Sequence, residues 1–244
     1  MGAAGQIAAQ SYRDAIALLQ RMTAPLAIAI AMTIVINGLG LLLEARIATE
    51  IGRIVASTLA SVASIWAIAP YLLALYRFVL LGEVQRRPEM LRNSDAANRL
   101  FAWSAIFAFL WILPGAAMVI LAPPGLTPEQ AASAENAGAV FTAFGVLIAL
   151  LVFAIRTMTL VPGAALGAPT SLARAFAETR GRFWLIFGAL MLAILPVAVA
   201  SSILGGLTGG ILQLAVSVLS LAVTMVLGIA LTANVYKWLM DNPR

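Results

Sequence analysis

Residues 183–204 read FWLIFGALMLAILPVAVASSIL, an unbroken apolar run without a charged side chain. Crossing a hydrocarbon layer about 30 Å thick, at 1.5 Å per residue, takes roughly 20 such residues in a helix. The run has that length and no period-two alternation, so it predicts a membrane-spanning helix and not a barrel strand. Pro25–Leu43, Ile54–Tyr76, Leu100–Ala122, Gly138–Arg156 and Ile211–Tyr236 have the same character, each bounded by charge, Pro or Gly. The expected fold class is all-α: a polytopic membrane protein with six transmembrane helices, forming a single membrane domain over residues 1–244.

Composition points the same way. Of the 244 residues, 62% are hydrophobic and 10% charged, with a mean hydropathy of +1.00. A soluble domain typically carries about 25% charged residues, so this chain lacks the polar surface to cover a water-exposed globule. The net charge is +5, but its basic residues flank apolar spans and form no patch with stacking aromatics. No nucleic-acid partner is expected; membrane lipids with anionic headgroups are. There is no Cys and no His. That removes thiol chemistry, Cys metal sites and the commonest general base, so neither a cofactor nor an enzymatic activity is expected. Pro25–Leu43 is too long for a signal-peptide core and reads as a signal anchor and first span.

Lys and Arg fix the orientation. Thirteen lie on one side, in the N-terminal segment, the second-to-third and fourth-to-fifth connections and the tail; only Arg46 and Arg53 lie on the other. The basic side is the cytoplasmic one, which places both termini in the cytoplasm of a bacterial inner membrane. On the far side, Thr127-Pro128-Glu129-Gln130 resembles a capped helix start, and Gly205 to Gly210 reads as a tight turn.

Two cytoplasmic segments look like helices lying in the headgroup plane. Ser11 to Arg21 places Tyr12, Ile16 and Leu19 on one face, and Ser171 to Phe183 does so with Leu172, Phe176 and Phe183. Ser94 to Trp103 is a weaker third. The residues expected to touch lipid headgroups are Arg13, Arg21, Arg86, Arg87, Arg99, Arg174, Arg180 and Arg182.

The pieces recur. Spans returning to the cytoplasm end in Tyr76-Arg77, Ile155-Arg156 and Tyr236-Lys237, with the bases 79 and 81 residues apart. Bases preceding outgoing spans, Arg21, Arg99 and Arg182, are 78 and 83 apart. Such periodicity predicts three pseudo-repeats, about 7–82, 83–160 and 161–244, each an interfacial helix followed by a hairpin; the alternative is that positive-inside bias alone sets bases at the ends of regular spans. All enter from the same side, so the repeats are parallel.

The stretch Tyr76-Arg77-Phe78-Val79-Leu80-Leu81-Gly82-Glu83 resembles a signature of uncharacterised bacterial six-span inner-membrane proteins of alphaproteobacterial type. A second block, Ala164, Leu166-Gly167, Ser171, Phe176 and Thr179-Arg180-Gly181-Arg182-Phe183-Trp184, is similar to the YciC-like group and to the membrane domain of some glycerophosphodiester phosphodiesterases. The resemblance implies a six-helix membrane fold and carries no activity with it, because the soluble phosphodiesterase domain is absent from this chain.

Ionisable residues at membrane depth usually mark function, and none falls near the middle of a proposed span. Arg156 lies at a span end, where its stem can snorkel to the interface; contact with a substrate anion is the alternative. Gln213, Ser217, Ser220 and Thr224 share one helical face of the last span, either lining a polar path or bonding to neighbouring helices. Pro70, Pro114 and Pro196 are expected to kink their helices. The leading expectation is a non-enzymatic accessory, scaffold or assembly subunit of a membrane complex, with protein partners. The alternative is a transporter or lipid-translocating protein.

Overall fold

Continuously apolar sequence has only its own backbone to satisfy its peptide groups in lipid, and helix is the local solution. The computed structural model, which describes residues 2–121, 137–208 and 210–243, is helical with no strand among the described residues. The helices are α1 (Ala3–Arg21), α2 (Thr23–Glu44), α3 (Glu50–Leu81), α4 (Asp95–Leu121), α5 (Ala137–Thr157), α6 (Leu160–Ala165), α7 (Leu172–Glu178), α8 (Phe183–Leu207) and α9 (Gly210–Asp241). A 3₁₀ turn at Pro88–Leu91 precedes α4.

Local chemistry sets the boundaries. Pro25 has no N–H, and its ring would collide with the Arg21 carbonyl if α1 continued into α2; α1 accordingly stops at Arg21. Gly82, at φ 75°, ends α3 in the left-handed conformation that suits glycine, donating to the Phe78 carbonyl at 2.8 Å. Ser171 caps α7 by accepting the Arg174 N–H at 3.3 Å. The expected stripe through Leu172, Phe176 and Phe183 is not one helix. α7 ends at Glu178, Gly181 takes φ 67°, and α8 begins at Phe183. Ser94 to Trp103 likewise forms no separate surface helix: Ser94 caps Ala97, and α4 runs on without a break. The capped start proposed at Thr127 lies outside the described residues.

Among the described residues, five helical stretches are long and apolar enough to cross a membrane: Thr23–Glu44, Gly52–Leu81, Phe144–Ala165, Phe183–Leu207 and Ala215–Asp241. Only 17% of the most apolar stretch of α2, and the same share of α8, is buried within the chain. Apolar surface left open on that scale is stable against lipid and not against water. The three lead-in segments differ in form: α1 is 19 residues long, the second is the 3₁₀ turn, and the third is α6 with α7.

The chain gathers into two compact units. The first comprises Met1–Ala31, Ile68–Leu100 and Ile155–Arg244. Within it α1 packs on both α8 and α9, and these pack on each other; Leu18, Leu73, Leu100, Ile186 and Leu231 are fully enclosed. The second comprises Met32–Ala67 and Phe101–Ala154. There a side chain at Gly40 would meet the Ala60 methyl at 2.6 Å, so α2 and α3 approach through small residues. Asn37 donates to Ser64 across the same pair at 3.5 Å, and Phe107 and Phe153 meet with ring centroids 6.3 Å apart.

Candidate functional site

The site forms where α1 meets the last turns of α9. The face of α1 that packs is not the one its large side chains suggest. Tyr12, Ile16 and Leu19 are exposed, while Ile7, Ala8, Ser11, Ala15 and Leu18 are buried against α8 and α9. Close helix approach selects small side chains, because a bulky one would hold the backbones apart. Ser11 is 0% exposed and its hydroxyl donates to the Ile7 carbonyl at 2.7 Å, so its burial leaves no donor unmet.

Two polar contacts fix α1 in place. The Tyr12 hydroxyl donates to the Ala193 carbonyl of α8 at 2.7 Å. That carbonyl lies in the turn before Pro196, whose missing N–H leaves the adjacent Leu192 carbonyl without its usual helical donor. Tyr12 thus bonds the carbonyl next to the one that Pro196 leaves without a helical donor. Asp14 accepts from Gln10 at 3.0 Å and from Asn234 of α9 at 2.8 Å. Asn234, 6% exposed, uses the same amide nitrogen to bond the Ala230 carbonyl at 2.9 Å. One turn on, Lys237 Nζ donates to the Val79 carbonyl of α3, and Tyr76 and Thr232 share a hydroxyl–hydroxyl bond of 2.9 Å.

Beside this network lies an open groove of about 480 Å³, lined by Gln6, Gln10, Arg13, Asn234, Lys237 and Asp241, with Trp238 at its wall. The Arg182 guanidinium sits 5.1 Å from the Trp238 ring centroid and donates to the Asn242 carbonyl. Ion pairs form between Arg77 and Glu83, at 2.8 Å, and between Arg174 and Glu178, at 2.7 Å. Arg13, Lys237 and Asp241 line one groove, and among the described residues none of them forms an ion pair. No family model, curated protein or solved structure matches this chain. What the groove does must be read from its own chemistry.

Of the arginines expected at headgroups, Arg13 alone belongs to the groove's lining. Arg21, Arg86, Arg87, Arg99, Arg174 and Arg180 are exposed and dispersed, and Arg182 is half-buried. Arg99 reaches the Ala168 carbonyl at 3.5 Å. Arg174 is held by Glu178, whose hydrogen bond and charge raise its already high pKa. Arg77 holds the Glu83 carboxyl below the usual carboxylate range.

The polar face of α9 divides. Ser220 donates to Ser201 of α8 at 2.9 Å, and Ser217 to the Gln213 carbonyl at 2.9 Å. Both are satisfied within the chain. Gln213 and Thr224 are exposed, and neither side chain has a hydrogen-bond partner among the described residues. Arg156 lies 5.9 Å from the Phe176 ring centroid, with its buried Nη1 unbonded among the described residues; the Thr179 hydroxyl donates to its carbonyl at 3.0 Å.

Sequence reasoning missed Asp14, Asn234 and Lys237 as members of one site. A local trace existed in the Gln10–Asp14 pair, four residues apart on one helix. Asn234 is 220 residues from Asp14, and only tertiary packing brings them together.

Proposed function

We propose that this chain is a non-enzymatic subunit of a bacterial inner-membrane complex, an accessory, scaffold or assembly component that binds other membrane proteins. In this reading α4 supplies a sixth crossing, the spans pair as three parallel hairpins, and both termini are cytoplasmic. The exposed arginines meet anionic headgroups, and the resemblance to YciC-like proteins describes the same architecture. Charge bias supports the orientation. The exposed apolar faces of α2 and α8 are suited to lipid or to a neighbouring helix.

The observation that carries the partner is the exposed stretch of α9. The Gln213 amide and the Thr224 hydroxyl face outward on an apolar helix with no partner among the described residues. A polar group facing hydrocarbon is costly, and a hydrogen bond from a second protein's helix removes that cost. Extraction at native expression in a mild detergent should yield a stoichiometric protein partner, and the pair Gln213→Leu with Thr224→Val should release it while leaving the chain folded. Recovery of the free chain alone would sink the proposal. Because there is no native Cys, single cysteines at Gln10, Ala48 and Ser94 report orientation directly. Labelling of Ala48→Cys from outside, with the other two protected, is expected.

A rival reading, lipid translocation, draws on Pro196 inside α8 and the donor that α1 supplies beside it. Lipid flux in proteoliposomes that depends on Tyr12 would favour it.

A further inference from the structure

We propose that the groove between α1 and the last turns of α9 holds the headgroup of a phospholipid carrying both a phosphate and a primary ammonium, of the phosphoethanolamine type. The inference rests on the membrane placement of α9 and not on a partner subunit, so it stands or falls separately from the role in a complex.

Two cations, Arg13 and Lys237, and one carboxylate, Asp241, line the same groove of about 480 Å³, and none forms an ion pair among the described residues. Opposite charges held on packed helices without reaching each other are neutralised together by a ligand bearing both signs. The phosphate belongs with the cations. The Arg13 guanidinium has the planar fork that matches phosphate oxygens. Lys237 gives a donor to the Val79 carbonyl, which anchors it and leaves its other N–H groups free.

The ammonium has its own acceptors. The Asn234 amide nitrogen is committed to Asp14 and to the Ala230 carbonyl, so its carbonyl oxygen is what remains for a ligand. Asp241 adds a carboxylate, and Gln6 and Gln10 add amide oxygens. A primary ammonium donates three hydrogen bonds and uses such a set; a quaternary choline has no N–H to give. A glycerol headgroup has no charge to set against Asp241. The C-terminal end of α9 also carries the negative pole of its helix dipole, which favours a cation there.

Size and depth fit a lipid. The volume lies within the range of ordinary ligand sites, about 300–1,000 Å³, and far above the ~30 Å³ of one water. Trp238 is half-buried at the end of an apolar span, the position at which indoles sit at the membrane–water boundary.

The test uses the full-length chain, stripped of lipid in detergent and exchanged with equal mole fractions of phosphatidylethanolamine, phosphatidylglycerol and phosphatidylcholine, with bound lipid counted by native mass spectrometry. Phosphatidylethanolamine should be retained about tenfold over either competitor, the order of one charge-assisted hydrogen bond. Asp241→Asn should remove its advantage over phosphatidylglycerol, and Arg13→Gln should weaken all three. Both positions are exposed, and unchanged circular-dichroism melts will confirm folding. Equal retention of the three lipids, or unchanged selectivity in Asp241→Asn, overturns the assignment. Competition by soluble glycerophosphoethanolamine at equal concentration would transfer the site from a lipid to a free phosphodiester.

Discussion

α1 and α7 look alike in sequence, each a short amphipathic segment with basic residues beside an apolar stripe, and the fold uses them differently. α1 buries Ile7, Ala8, Ser11, Ala15 and Leu18 and reaches α8 and α9 through Tyr12 and Asp14. α7 buries only Ala175; Leu172 and Phe176 remain exposed, and its charged groups pair within the helix as Arg174–Glu178. α1 is thus held by tertiary contacts and α7 largely by local ones. The difference lies in the small residues: Ala8, Ser11 and Ala15 give α1 a flat face that can approach two other helices.

The largest expected effect tests that contrast directly. Leu18→Ala, at a fully enclosed position, should destabilise the chain by about 2–4 kcal/mol in reversible unfolding from mixed micelles. Phe176→Ala on α7 should cost under about 1 kcal/mol, since its ring is partly exposed already. Equal losses would end the distinction between the two helices.

Next in size is Tyr12→Phe, which keeps the ring and deletes the hydrogen bond to Ala193. A loss of about 0.5–1.5 kcal/mol is expected in the same assay. Faster amide exchange in the turn before Pro196 should accompany it; exchange unchanged there would mean that α1 does not support the proline break.

A smaller and local effect is expected at the cap of α7. Ser171→Ala removes the acceptor for the Arg174 N–H, worth about 1 kcal/mol to the helix it caps. Amide protection over residues 172–178 should fall while the global unfolding midpoint stays in place. A shift of the whole transition would show that α7 is coupled to the core as α1 is.

The smallest effect concerns the Arg77–Glu83 pair, local like that of α7. Arg77 lowers the Glu83 pKa in the folded chain, so the pair contributes above the free carboxylate value of about 4.3 and is lost as pH falls through the lower folded value. The stability difference between the native chain and Glu83→Gln should be small at neutral pH and vanish in acid. Salt should shrink it as well, because the pair is exposed. A difference that persists at low pH would assign it to the side chain's size instead of its charge.

The helices long and apolar enough to cross a membrane were legible because each is a property of one contiguous stretch. Hydrocarbon thickness sets a length, and 183–204 or 25–43 meets it without reference to any other residue. Helix stops were legible where one residue dictates them, as Pro25 does for α1. The packed face of α1 was not. A stripe of Tyr12, Ile16 and Leu19 is the most hydrophobic reading of that helix by side-chain size, yet contact area depends on how near two backbones can come, and that depends on residues 180 positions away.

Sequence by itself determined the solvent of this protein and the places where its chain turns, since transfer of apolar surface and local backbone sterics act along contiguous residues. Tertiary structure alone decided that Asp14 meets Asn234, that Tyr12 serves the Pro196 turn, and that Arg13, Lys237 and Asp241 share one groove without pairing. Those outcomes depend on distances between remote helices, which no periodicity within one helix encodes.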